Sequence, residues 1–272
     1  MDIPTFLYGT AWKEDETARL TRLALDSGFR GIDTANQRKH YFEAAVGEGI
    51  AGAIEAGVVR RDELFLQTKF TYRGGQDHRL PYDPAAAPAT QVRQSFASSL
   101  EHLRVETLDS YVLHGPSRRS GLSELDVTVW RAMEELQRTG QTRHLGISNV
   151  ALDQLEMLWS LADVKPQFVQ NRCYASTRWD ADVRTFCRAH GIIYQGFSLL
   201  TANARELRSV RFREIVARSG GTAAQVVFRF ALQVGMLPLT GTTDAAHMRE
   251  DLASPELTLP AEDVAAIESI AA

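Results

Sequence analysis

The chain has 272 residues, 44% of them hydrophobic, and a formal net charge of −4. That length supports one large core or two modest ones. The mild negative charge gives no electrostatic reason to bind nucleic acid or an anionic membrane. No apolar run is long enough to span a bilayer. The start, Met1-Asp2-Ile3-Pro4, lacks the basic and apolar segments of a secretory signal. Cys173 and Cys187 show no metal-ligand spacing, and a stable cytosolic disulfide is unusual. A cytoplasmic protein with reduced thiols is expected, without membrane or nucleic-acid partners, as a monomer or weak homo-oligomer.

Strand-like and helix-like patterns alternate along the chain. Phe6-Leu7-Tyr8 is a short apolar run, after which Leu20, Leu23 and Ala24 share a helical face closed by Gly28. The run Phe29 to Ile32 ends on Asp33, and a helical stretch follows across Ala44 to Ile54. A second run, Leu64 to Thr68, ends on Lys69. An irregular segment from Thr71 to Thr90 then carries Gly74-Gly75 and three prolines, a length uncommon in loops that bind nothing. Val92, Phe96, Leu100 and Leu103 make the next helical stripe. Ser110 to Leu113 ends on His114, and Val129, Ala132, Met133 and Leu136 precede Gly140 as a C-terminal cap. Strand-like runs recur at Leu145 to Ile147, Gln167 to Gln170, Ile192 to Tyr194 and Met236 to Leu239, and Pro260 opens a last helix. Eight strand–helix units of about 34 residues each fit a single (β/α)8 TIM barrel, an α/β fold of roughly 250 residues, here spanning 1–272. A doubly wound sheet is the competing architecture, but no G-x-G-x-x-G follows the first strand.

In a parallel barrel the strand tails gather on one face, so Asp33, Lys69 and His114 are expected to converge there. The 30 basic residues include only four lysines, leaving 26 arginines, and one of the four is Lys69 at a strand tail. A compact point charge suits such a site better than a planar fork. Each residue alone has an ordinary explanation: a turn aspartate, a solvated lysine, a structural histidine. Together they define a chemical site.

Gly28-Phe29-Arg30-Gly31-Ile32-Asp33-Thr34-Ala35 closely resembles the signature of the aldo-keto reductases. Gly9-Thr10-Ala11-Trp12-Lys13, Leu64 to Lys69, Leu108 to His114, Gly146-Ile147-Ser148-Asn149 and Gln170 resemble further motifs of that family, in order along nearly the whole chain. The resemblance implies an NAD(P)H-dependent reductase of an aldehyde or ketone, with a tetrad of Asp33, Tyr41, Lys69 and His114. Hydride addition builds negative charge on the carbonyl oxygen, so a proton donor is needed within reach. A phenol becomes a useful acid beside a cation, which Lys69 would supply with Asp33 holding it. His114 would orient the carbonyl. In the family pattern the tyrosine usually stands five residues after the aspartate, where this chain has Arg38; Tyr41 stands eight after, as if three residues were inserted.

The resemblance also implies cofactor contacts at Thr10, Ser148, Asn149, Gln170, Phe197, Ser198 and Leu200, with Phe197 in place of a stacking tyrosine. Beyond the last strand, many members carry a Lys-Ser pair and an Arg that clamp the 2′-phosphate of NADP. Here the run is Thr240, Gly241, Thr242, Thr243, then His247, Glu250 and Asp251. NADP(H) is the preferred expectation, with NAD(H) or dual use as the alternative. Trp12 and Tyr72 are expected to wall an open substrate pocket, with Tyr82 as a further aromatic face. No metal is expected, since His40, His78 and His114 lack paired-ligand spacing. A nucleotide-binding regulatory barrel with little turnover is the competing function.

Overall fold

The computed structural model describes residues 3–271. The reading of Met1 and Asp2, and the outer limits of a 1–272 domain, lie outside them. The eight strands are β1 (Leu7–Gly9), β2 (Gly31–Asp33), β3 (Phe65–Phe70), β4 (Leu108–Leu113), β5 (Thr142–Ser148), β6 (Phe168–Arg172), β7 (Ile193–Phe197) and β8 (Met236–Thr240). Each pairs in parallel with the next, and β8 returns to β1 through Leu7 opposite Leu239, closing the barrel. The helices are α1 (Thr17–Asp26), α2 (Glu43–Glu55), α3 (Pro88–Leu103), α4 (Glu124–Arg138), α5 (Leu152–Leu161), α6 (Ala181–Ala189), α7 (Val210–Ser219), α8 (Ala223–Gln233), α9 (Ala245–Leu252) and α10 (Ala261–Glu268). The expected (β/α)8 fold is thus observed. The helices outnumber the strands because the β7–β8 crossover and the chain after β8 each carry two. No helix among the described residues is long and apolar enough to cross a membrane.

Strand alternation decides what faces the barrel axis. Along β3, Phe65 joins Leu7, Phe168, Leu237 and Leu239 in an apolar plug inside the barrel. Leu66 and Phe70 face outward into the helix-packed core. Between them, Gln67 reaches across to Gln195 and Lys69 to Asp33, while the Thr68 hydroxyl donates outward to Glu43 of α2. The interior therefore changes from apolar to ionic within two layers. Burying the plug fixes the depth at which the polar layer sits.

Two boundaries differ from the sequence reading. β2 begins at Gly31, because the backbone of Phe29 folds onto α1 through a bond from its N–H to the Ala24 carbonyl, at 3.0 Å. α3 begins at Pro88, so the irregular segment is shorter than expected; proline is pre-set for the first helical turn. That segment is also tied down. Tyr82 donates from its hydroxyl to the Thr71 carbonyl at 2.9 Å, and Gln76 donates to the Asn36 carbonyl at 2.9 Å.

Gly31 illustrates how tightly the plug is packed. A Cβ there would overlap Leu7 Cδ2 and lie 2.7 Å from Pro4 Cγ. Gly31→Ala is expected to destabilise the barrel by about 1–3 kcal/mol through overpacking, measured as a lower midpoint in denaturant unfolding with an unchanged slope.

Candidate active site

Asp33 closes β2 and Lys69 lies one residue before the end of β3. Lys69 is fully buried, and its Nζ donates to both Asp33 carboxylate oxygens and to the Thr34 carbonyl, each at 2.7 Å. Asp33 Oδ1 also accepts from Gln67 Nε2 at 2.7 Å and Gln170 Nε2 at 2.9 Å. Gln195 Oε1 accepts from the same two amides. An ion pair at this depth persists only when its remaining lone pairs are satisfied. Burial pushes the Lys69 ammonium below its ordinary range, and the charge of Asp33 and their hydrogen bond oppose that shift. Gln67 and Gln195 were invisible to motif reading. Their signal is an amide where strand alternation expects an apolar residue.

Tyr41 reaches this pair through the extra residues. Arg38-Lys39-His40 form a turn closed by the Tyr41 N–H donating to the Gln37 carbonyl at 3.0 Å. The turn is pinned to the β1 loop, where the Trp12 N–H donates to the His40 carbonyl at 2.7 Å. The Trp12 and His40 rings lie 4.0 Å apart. The Tyr41 ring then stands 5.4 Å from Lys69 Nζ and edge-on to His114 at 5.9 Å. Burial first, and the Asp33 charge second, push its hydroxyl above the ordinary phenol range. That direction is opposite to the acidification expected from the sequence. The free protein holds Tyr41 protonated.

His114 follows β4. Its Nδ1 shares a 2.6 Å hydrogen bond with the Thr71 hydroxyl, a partner the sequence did not reveal. Burial, with Lys69 and His40 adding repulsion, lowers the imidazole to about 3. At neutral pH it is uncharged and acts as a hydrogen-bonding group.

Asp33, Tyr41 and His114 form one end of a cleft of about 890 Å³ over the strand tails, a size typical of ligand sites. Ser148, Asn149, Gln170, Phe197, Ser198, Leu200, Gly241, Thr242, His247, Glu250 and Asp251 all line it, as does Trp12, 70% exposed at the rim. Asn149 and Ser198 take left-handed conformations, φ 50° and 57°, at their strand tails. Four expected residues lie outside the lining, the first being Lys69, buried against Asp33. Thr10 is buried and donates to the Asp33 carbonyl at 3.0 Å. Thr243 is exposed and outside the cleft lining. Tyr72 turns inward, packing on Phe70 and donating to Asp126 at 2.9 Å. Tyr82 is buried and Tyr72 partly so, and neither lines the cleft.

Lys13 was missed as a site residue. It is the one lysine or arginine in the cleft lining, and its Nζ donates to the Gly241 carbonyl. Burial lowers its ammonium. The sequence did offer a signal: a lysine directly after a strand-tail motif, in a chain poor in lysine. Among the described residues no group of His, Cys, Asp or Glu is arranged to hold a metal ion.

The family model described as "Aldo/keto reductase family" matches residues 5–272. The chain belongs to the aldo/keto reductase family. A D-galacturonate reductase of Fragaria ananassa is 30% identical, aligned over 92% of this chain and 80% of its own length. The NADPH-dependent codeinone reductase 1-4 of Papaver somniferum is also 30% identical, over 98% of this chain and 86% of its own length. An aldo/keto reductase structure from Brucella melitensis superposes with a TM-score of 0.83 at 25% identity, over 98% of this chain and 95% of that one. This aldo/keto reductase is an NAD(P)-dependent oxidoreductase, and its general chemistry is carbonyl reduction.

Asp251 gives the reductase a measurable pH signature. Burial raises its carboxyl to about 6, although the Thr240 hydroxyl donates to it at 2.7 Å. A pKa raised on folding contributes stability that is full below the unfolded value of 3.8 and lost as pH rises through about 6. Asp251→Asn is expected to melt like the wild type at pH 4. At pH 7 it should be more stable, by up to about 3 kcal/mol. Thermal unfolding at the two pH values checks this.

Proposed function

We propose that this reductase converts a small aldehyde or ketone to the alcohol with NADP(H), using Tyr41 as proton donor. The observation that carries this reading is the Tyr41 ring standing 5.4 Å from the buried Lys69 ammonium and edge-on to a neutral His114. In this reading the carbonyl oxygen rests between the Tyr41 hydroxyl and the His114 imidazole. Neutral His114, with Nδ1 paired to the Thr71 hydroxyl, donates a hydrogen bond there from its Nε2–H and leaves the role of acid to Tyr41. Tyr41 enters protonated, as a donor must. As its proton leaves, the nearby Lys69 charge stabilises the phenolate, and Asp33 keeps that charge in place.

The cleft fits a nicotinamide dinucleotide in size and in chemistry, and the bound cofactor supplies the hydride. Ser148, Asn149 and Gln170 are the groups for the carboxamide. Gln170 has its amide nitrogen committed to Asp33 and Gln195, so its Oε1 is the atom on offer. Phe197 presents a ring for stacking. Lys13 is the countercharge for the diphosphate, and the Thr242 hydroxyl is a further donor in the lining, whereas the first amides of α9 are already capped by the Asp244 carboxylate. The codeinone reductase named as NADPH-dependent supports NADP(H). Glu250 and Asp251 in the cleft lining favour NAD(H) as the second reading, since carboxylates repel a 2′-phosphate and accept from a 2′-hydroxyl.

Tyr41→Phe is expected to lose at least a hundredfold in kcat with a reactive aldehyde while retaining nucleotide affinity. Full activity in that variant would remove Tyr41 from the role. Tight nucleotide binding by the wild type with no turnover across a broad carbonyl panel would favour a regulatory protein instead. Lys13→Ala is expected to weaken nucleotide binding about tenfold, or 1.4 kcal/mol, in a titration followed by tryptophan fluorescence. NADPH and NADH titrated side by side decide between the two cofactors.

A further inference from the structure

A second cavity, about 250 Å³, lies on another side of Tyr41 from the cleft. It is bounded by Ala35 to Arg38 and Tyr41 to Ala44 on either side of the extra turn, by Arg79 to Pro81, and by Ser98 and His102 of α3. Tyr41 is the one residue lining both spaces. At about 30 Å³ for each molecule, this cavity has room for several waters. Its wall is also polar. Gln37 is 6% exposed, donates from Nε2 to the Gly75 carbonyl at 2.7 Å, and has no hydrogen-bond partner for Oε1. A buried acceptor of that kind in a roomy cavity is ordinarily satisfied by water.

Behind the cavity stands a buried acid held by a histidine. Glu43, 3% exposed, accepts from the Thr68 hydroxyl on one oxygen and pairs with His102 Nδ1 at 2.9 Å on the other. The His102 side chain is 37% exposed, so the imidazole touches both the cavity and bulk solvent. The charge of Glu43 also supports the Lys69 ammonium, but that does not account for the half-exposed His102 beside it.

We propose that the cavity and the Glu43–His102 pair form a proton-return route that reprotonates Tyr41 from solvent while the nucleotide fills the cleft. The proposal rests on Tyr41 being the proton donor. After the phenol O–H bond breaks and its proton joins the alkoxide, the phenolate oxygen takes a proton from cavity water. That water is made whole by imidazolium His102, which takes a proton from bulk water. One proton leaves solution for each nicotinamide oxidised. With Nδ1 held by Glu43, Nε2 is the exchanging atom.

The charges around His102 suit the task. Its hydrogen bond to Glu43, chiefly, and the charges of Glu43 and Glu101 hold its imidazolium above the ordinary range against burial. Arg38 and Arg79 also line the cavity, but each has an acidic partner, Glu14 at 3.3 Å for Arg38 and Asp77 for Arg79. A histidine that stays partly protonated near neutral pH is a good shuttle.

The experiment is a single turnover of the holoenzyme in weak buffer, recording nicotinamide absorbance and a pH indicator together. In the wild type, proton uptake is expected to keep pace with oxidation. In His102→Gln, first-turnover oxidation should be unchanged while uptake lags severalfold, and added imidazole should restore it. Leu80→Trp, which narrows the cavity from the Arg79 to Pro81 wall rather than from the helix that carries His102, should show the same lag. Uptake that keeps pace in both variants overturns the route. Equal slowing of oxidation and uptake also overturns it, since that marks a structural role. The parent reading is judged separately, because Tyr41→Phe must lose the oxidation step itself.

Discussion

The buried pair of Asp33 and Lys69 is the constraint around which the rest of this barrel is arranged. Two opposite charges inside a ring of strands are costly to desolvate, and breaking one partner away would leave the other stranded. The protein answers with geometry. Lys69 spends its donors on two carboxylate oxygens and a carbonyl, and Asp33 accepts from two glutamine amides as well. Each glutamine comes from a different strand, so the pair fixes β2 against β3 and β6 at the mouth. The apolar plug beneath sets its height. Chemistry and fold therefore share one set of bonds.

The site is built outward from that pair. Tyr41 approaches from a turn braced by β1, His114 is held by Thr71 just past β3, and Asn149 ties two strand tails by donating to the His114 carbonyl at 2.8 Å. None of these groups carries a net charge in the free protein. The end of the site nearest the tetrad is thus a single buried ion pair ringed by neutral hydrogen-bonding groups, while Lys13, Glu250 and Asp251 are the charges of the remaining cleft lining. Such an environment responds strongly to charge that appears during a reaction and weakly to charge at rest.

Much of this was legible in the sequence. Strands buried on both faces read as short apolar runs, and a polar residue ending such a run stands out, as Asp33, Lys69 and His114 do. The long irregular segment was legible as a loop but not as a packed one. Tyr72 and Tyr82 look like exposed aromatics until their hydroxyls find Asp126 and the Thr71 carbonyl. Those partners are far along the chain or part of the backbone, and sequence pattern carries neither. Lys13 escaped notice for the reverse reason. Its neighbour Gly241 is 228 positions away, and only closure of β8 onto β1 brings the two together. The direction of the Tyr41 shift is set chiefly by desolvation, which depends on packing around the ring that sequence pattern does not carry.

The brace between Trp12 and the inserted turn couples entrance to chemistry. The indole lies tilted against the His40 ring at the rim, and the His40 backbone carbonyl anchors the segment carrying Tyr41. Trimming that indole for the sake of a wider doorway would remove the ring contact on the turn carrying Tyr41 and leave the backbone bond from residue 12 as its remaining tie. The doorway residue therefore also sets how firmly the proton donor's segment is held, and one side chain serves both access and alignment.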